Sequence, residues 1–258
     1  MANDIRITDV SKSFSNGDEV IDVLDHVSLD VEAGEFVCIV GPSGCGKTTL
    51  LKLIAGFDTA YEGECLVGGQ RHSSPSPDRG FVFQKPALFP WYSVWDNITL
   101  GPRAAGKATA QWKAEAARLM SVMTLDGFET SFPYQLSGGM AQRVQLARVL
   151  INQPSALLMD EPFGALDYLT RLRMQQLVSS LHVDYSMTTV FITHDVDEAV
   201  LMADRVVVMS TRPGRVLADI RIELPKRRSV DVVRSAQYGE YKTQILSLLG
   251  FGEPEMEH

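Results

Sequence analysis

The stretch GPSGCGKTT, residues 41–49, is where residue type and spacing first define a chemistry. It fits G-x-x-x-x-G-K-[ST], a pattern whose glycines let successive backbone N–H groups turn inward around a phosphate. Gly41, Pro42, Ser43, Gly44, Cys45 and Gly46 would form that cradle, and Thr49 closes the run. Lys47 would place a point positive charge on the β- and γ-phosphates, and Thr48 would offer a hydroxyl to Mg²⁺. Far along the chain, Asp160 and Glu161 follow the apolar run Ala156, Leu157, Leu158, Met159. A carboxylate ending a strand beside a phosphate loop can hold Mg²⁺ through water, which suits Asp160. Glu161, one residue on, would face the γ-phosphate side and orient an attacking water or take its proton.

Three single residues are open to two readings each. Gln84 follows a short strand, where an amide could touch Mg²⁺ or the attacking water; a plain polar loop position is the simpler reading. His194 ends a strand within Thr193-His194-Asp195, fitting a γ-phosphate contact or a capping histidine equally. Phe14 sits in a turn, where it could stack on a base or cover the core. Ser137-Gly138-Gly139 forms a second Gly-rich opening to a helix, so it too presents free N–H groups to an anion. One nucleotide already has its grip at Lys47. A second, partial grip suits a nucleotide held by another subunit; simple capping by Ser137 is the alternative.

The elements around these residues alternate. Residues 36–40 form an apolar, β-branched run between Gly34 and Gly41, a buried strand leading into the loop, and residues 48–55 a helix stopped by Gly56. Upstream, the pattern predicts strands over 5–10, 20–24 and 27–31, with a turn over 12–17 and a break at Asp25-His26. Short strands follow over 63–67 and 80–83. From about Pro86 to about Pro133 the chain turns helical, notably over 107–123, and Ser137 caps a further helix through Leu150. Strands over 156–159, 188–192 and 205–209 then alternate with helices over 172–181 and 197–203, the signature of a mostly parallel sheet. A last strand over 216–224 precedes a basic segment (Lys226, Arg227, Arg228), a helix over 238–249 and a tail expected to be disordered.

The chain has 258 residues and a formal charge of -8, which argues against a nucleic-acid surface as its main business. Cys38, Cys45 and Cys65 make no paired framework, which fits a reducing compartment. Neither a signal peptide nor an apolar run long enough to span a bilayer is expected, so any membrane part would be another chain's.

Taken together, the motifs resemble those of the nucleotide-binding subunits of ATP-binding-cassette transporters, over about residues 5–224. GPSGCGKTT is similar to the Walker A loop, Gln84 to the Q-loop glutamine, LSGGM (136–140) to the signature motif, and LLMDEP (157–162) to Walker B with its catalytic glutamate. GALD, ending at Asp167, resembles the D-loop; His194 stands at the switch histidine and Phe14 at the adenine-stacking aromatic. The resemblance implies an α/β P-loop NTPase fold: a mostly parallel central sheet, an antiparallel N-terminal β-subdomain and an inserted helical subdomain over about 86–150. It implies one cassette domain over 1–225, then a C-terminal basic segment, helix and tail over 226–258. Two such subunits would dock head to tail around two Mg²⁺·ATP, Ser137 and Gly139 of one meeting the γ-phosphate held by Lys47 of the other, with Asp167 at the seam.

The likeness is nearest to importers of nitrate, sulfonates and taurine, through LFPWYSVWDNITLG after Gln84 and STRPGRV at 210–216. Ala141, where a longer polar residue is common, is a departure that leaves both signature glycines in place. The implied protein is an ATPase peripheral to the cytoplasmic face of the inner membrane, bound to an integral permease and through it to an external solute-binding protein. The loop Leu88, Phe89, Pro90, Trp91 is a landing site for the permease or ordinary core. An exporter or lipid-trafficking ATPase shares the core motifs. A soluble switch in translation or DNA maintenance would carry two cassettes or a coiled-coil insertion, which this sequence lacks.

Overall fold

Two sheets built on different rules meet across one helix. The structure, a computed structural model, describes residues 2–17, 19–225 and 230–251. β1 (Ile5–Asn16) and β2 (Glu19–Val31) form a long antiparallel hairpin, from Ile5 opposite Val31 to Asn16 opposite Glu19. The sequence pattern ends the first strand before Lys12 and breaks the second at Asp25-His26; both strands instead run through. Asp9 and His26 take positive φ of 54° and 50°, and these irregularities absorb the extra residues that disturb the apolar alternation. Phe14 therefore lies in a strand and not in a turn. β1 also pairs with β4 (Glu62–Val67), which pairs with the two-residue β5 (Gln70–Arg71), too short to show a pattern in sequence.

The second sheet has the order β10-β9-β3-β8-β7-β6. Its parallel members are β3 (Phe36–Val40), β6 (Arg79–Val82), β7 (Ala156–Asp160), β8 (Thr188–Ile192) and β9 (Arg205–Met209). β10 (Val216–Arg221) runs antiparallel on one edge. It stops short of the expected Leu224: its register with β9 ends at Arg221 opposite Arg205, and one further bond, from the Ile222 N–H to the Asp204 carbonyl at 2.9 Å, closes the pairing. β3 explains why these strands read as continuous apolar runs. Phe36, Cys38 and Val40 face one core while Val37 and Ile39 face another, so both sides of the strand are buried. Full burial of a side chain such as Ile39 stabilises the fold by roughly 1.5–3 kcal/mol.

The helix α1 (Lys47–Ala55) contacts strands of both sheets and ends at Gly56, whose φ of 79° forms the left-handed cap. α2 (Val94–Ala104), α3 (Thr109–Val122) and α4 (Gly138–Leu150) pack on one another as the expected helical block. α3 starts past Lys107 because the N–H of Lys107 closes the end of α2 on the Pro102 carbonyl. α5 (Tyr168–Tyr185) starts earlier than the apolar pattern shows, since Asp167 caps it and its first turn is solvated. Tyr185, at its far end, donates its hydroxyl to Glu115 of α3 at 2.5 Å and also meets Arg118, tying the helical block to α5. α6 (Val196–Met202) and α7 (Ala236–Leu248) pack together, Tyr238 and Ile245 of α7 being buried.

Among the described residues no helix is long and apolar enough to cross a membrane. Cys38, Cys45 and Cys65 are all buried. Lys226, Arg227, Arg228 and the residues after Phe251 lie outside the described residues.

Candidate functional site

The C-terminal ends of the parallel strands bring the sequence-predicted residues together. β3 delivers the chain to Gly41, and the loop turns through Gly44 and Gly46 at φ 78° and 101° before α1 begins. A Cβ at Gly46 would lie 2.7 Å from Leu24 Cδ2 and 2.9 Å from the Val23 carbonyl, so β2 packs directly on the loop. Lys47 is 5% exposed, and its Nζ donates to the carbonyls of Gly41 at 2.7 Å and Pro42 at 3.0 Å. Ser43, Gly44, Cys45, Gly46, Lys47, Thr48 and Thr49 line a cleft of about 330 Å³, shared with Val23, Gln84, Asp160 and Glu161.

Within the cleft the polar groups pair by role. Thr48 Oγ1 donates to Asp160 Oδ1 at 2.9 Å. Burial pushes the Asp160 carboxyl above the usual carboxylate range, partly opposed by that hydrogen bond. Two oxygen groups at this spacing, one of them a desolvated carboxylate, suit a hard divalent cation. On the other side, a single oxygen of Glu161 is shared. Gln84 Nε2 donates to Oε2 at 3.4 Å, and His194 Nδ1 approaches the same atom at 3.0 Å. Gln84, Glu161 and His194 follow β6, β7 and β8, three adjacent strands, which is why residues so far apart in sequence converge.

Glu161 has φ 42°, uncommon for a side chain other than glycine. Its N–H donates to the Ile192 carbonyl at 3.0 Å and its carbonyl accepts from Gly164 at 3.3 Å, so the surroundings impose the conformation. Strain of this kind concentrates where a side chain must point in one direction.

Gly41, Pro42 and His194 border the cleft lining without belonging to it, held there by the contacts given above, whereas Phe14 and the Ser137–Gly139 run stand apart. Phe14 is 43% exposed and lies opposite Ile21, two residues before Val23, with Lys12 Nζ 4.7 Å from its ring centre. Ser137 caps α4, its hydroxyl accepting from the Met140 N–H at 3.3 Å. Gly138 has open space where a Cβ would be, whereas a Cβ at Gly139 would come within 2.7 Å of Thr170 Cγ2. Ser137, Gly138 and Gly139 do not line the cleft that holds Lys47 of their own chain.

Sequence reading missed Gly214, which it gave only as part of the STRPGRV run. A Cβ there would lie 2.0 Å from the Cys45 carbonyl oxygen, while the Gly214 N–H donates to Val23 at 2.8 Å. The turn braces the phosphate loop from behind. The Pro-Gly pair was a signal for the turn, with nothing local to show what it touches.

A sequence profile for ABC transporters matches residues 24–164, over half of the chain. The chain belongs to the ABC transporter family. Across nearly its whole length it is similar to an aliphatic sulfonates import ATP-binding protein, SsuB, of Bacillus cereus, 41% identical over 96% of each chain. The taurine import ATP-binding protein TauB of Roseobacter denitrificans is 42% identical, over 98% of this chain and 96% of the relative. Among solved structures, a dimeric post-hydrolysis state of the ATP-binding cassette MJ0796 bound to ADP and Pi superposes with a TM-score of 0.75 at 31% identity. That match covers 86% of this chain and 100% of the other. The expected α/β P-loop fold is thus the fold of this cassette.

Proposed function

We propose that this chain binds Mg²⁺·ATP at Lys47's loop, completes the site with Ser137, Gly138 and Gly139 of a second cassette, and hydrolyses the nucleotide. The observation that carries this is the meeting of Gln84, Glu161 and His194 at one carboxylate oxygen beside the phosphate loop. Glu161 Oε2 is the acceptor for the proton of the attacking water, and His194 and Gln84 hold that oxygen in place. Lys47 and the loop N–H groups from Gly44 to Thr49 stabilise the transferred phosphoryl charge. Thr48 and Asp160 fit Mg²⁺, Asp160 through water, with the Gln84 amide oxygen as a further donor. Bound there, Mg²⁺ would neutralise charge building on the β- and γ-phosphate oxygens. Phe14 supplies an aromatic face for the base, and Asp167 borders the second cassette.

The cassette spans 1–225, with the helical subdomain at about 86–150 and a C-terminal appendage over 226–258. The solute is a small sulfonate, on the printed roles of relatives that match almost end to end. Import then requires an integral permease and, on its far side, a solute-binding protein, placing this chain at the inner face of the membrane. Phe89 and Trp91, 36% and 67% exposed beside Tyr92, offer the permease an aromatic surface on the helical block.

Glu161→Gln is expected to keep ATP binding and lose hydrolysis by roughly 10²-fold or more. Turnover at the unmodified rate would remove Glu161 from its role. Ser137→Arg, with Lys47 intact, is expected to bind ATP yet lose nucleotide-dependent dimerisation, and surviving hydrolysis would end the shared-site reading. The solute class is tested by reconstituting the permease complex with its binding protein and measuring ATP turnover with taurine and alkanesulfonates. Stimulation by none of them overturns it.

A further inference from the structure

His194 is 62% exposed in its side chain, and its position is set largely through its neighbours. Thr193, before it, is buried and donates its hydroxyl to Glu198 Oε2 at 2.6 Å while accepting the Asp195 N–H at 3.0 Å. Asp195, after it, caps α6, its Oδ1 accepting from the N–H groups of Asp197 at 2.9 Å and Glu198 at 3.3 Å. Glu198 is 5% exposed, and its other oxygen accepts from Gln175 Nε2 of α5 at 3.2 Å. Burial pushes this carboxyl above the usual range, and Thr193 and Gln175 oppose the shift. No step of the hydrolysis described above uses this buried carboxyl.

Arg171 of α5 joins that cluster to a second segment. Its Nη2 donates to the Leu166 carbonyl at 3.2 Å, its Nη1 lies 3.5 Å from Asp195 Oδ2, and its Nε lies 3.9 Å from Glu198 Oε1. The Nε is buried and without a hydrogen-bond partner among the described residues. Leu166 belongs to the short run between Glu161 and α5, whereas Asp195 and Glu198 fix the loop that carries His194. One rigid, planar guanidinium therefore spans the two segments whose side chains meet at Glu161 Oε2.

We propose that Arg171 and Glu198 are positioning residues for hydrolysis, clamping the His194 loop to the Glu161 segment and so setting the 3.0 Å approach of His194 to Glu161. Neither lines the nucleotide cleft; they act through His194. The inference rests on the roles proposed above for Glu161 and His194.

Single-turnover ATP hydrolysis by the full chain tests it, with Arg171→Met, Arg171→Lys and Glu198→Gln made alone and combined with His194→Ala. Each single variant is expected to lower the maximal rate by roughly 10- to 100-fold with little change in the half-saturating ATP concentration. Arg171→Lys keeps the charge without the fork and recovers only part of the rate. With His194→Ala already present, the same changes cause no further loss, because they act through that side chain. Losses that multiply in that background, or an effect confined to ATP affinity, overturn the proposal. Should Glu198→Gln fail to fold, the partly exposed Arg171 variants decide by the same cycle. Failure of the parent reading is a separate result: His194→Ala alone would then hydrolyse at the unmodified rate, and the positioning role would fall with it.

Discussion

Glu161 gives a prediction in which two equally inactive variants differ in stability. The residue holds a left-handed φ of 42°, fixed by hydrogen bonds to Ile192 and from Gly164. A side chain in that region costs about 1–2 kcal/mol, which glycine does not incur. Glycine gives back about 0.4–1 kcal/mol through its freer unfolded chain. The fair comparison is Glu161→Gly against Glu161→Ala, since both lose the carboxylate and its contacts with Gln84 and His194. Glu161→Gly should then be more stable by about 0.5–1 kcal/mol, or roughly 1–4 °C in melting temperature for a chain of this size. Both variants should be inactive. Differential scanning calorimetry on the two proteins, alongside urea titration, measures the gap. If Glu161→Gly melts at or below Glu161→Ala, the backbone at this position is not strained and the argument for an imposed side-chain direction fails.

Two further outcomes follow from other parts of the chain. Gly214→Ala forces a Cβ to within 2.0 Å of the Cys45 carbonyl, so the phosphate loop must shift, and ATP affinity measured with a fluorescent analogue should fall by about tenfold or more. Gly239→Ala, on α7 with open space around it, is the matched control and should leave binding unchanged while adding about 0.5–1 kcal/mol of stability. His26 has its pKa raised, first by its hydrogen bond to Asp9 and then by the charges of Asp9 and Asp25. Its pairing therefore stabilises the fold fully below the unfolded histidine value of about 6.5 and is lost as pH rises through the higher folded value. His26→Asn, which tolerates the same positive φ, should lower urea stability at about pH 5.5 and leave it unchanged at about pH 8.5; an equal loss at both would refute the pairing.

The parts of the site that were legible in sequence are those whose geometry is local. Gly41 to Thr49 carries its own turn, charge and helix start, so pattern alone placed it. β3, β8 and β9 were readable at their ends because both faces are buried and nearly every residue is apolar or β-branched. β1 and β2 were not, since positive φ at Asp9 and His26 shifts the alternation partway along each strand. Gln84 and His194 were ambiguous because their meaning depends on which strands become neighbours, and residue type does not encode sheet order. The family resemblance favoured the site reading for both, where the residues alone did not choose. Arg171 and Glu198 gave no signal: an arginine and a glutamate on two helices read as surface charge until the fold buries one and bridges the other.

The sheet order also constrains how the chain is made. β3, which leads into the phosphate loop, has β8 and β9 as its neighbours, and no strand made in between lies beside it. On a ribosome adding about 5–20 residues per second, Ile39 waits roughly 8–30 s for its register partner Ile192 to be synthesised. For that interval both edges of this wholly apolar strand are unpaired, and the nucleotide grip hangs from a strand without a sheet. The hairpin of β1 and β2 can close early, but the ends of β7 and β8 that supply Glu161 and His194 arrive late. On the roles proposed above, this chain's own half of the site is complete only after about three quarters of the chain exists, so a half-made cassette should not turn over ATP.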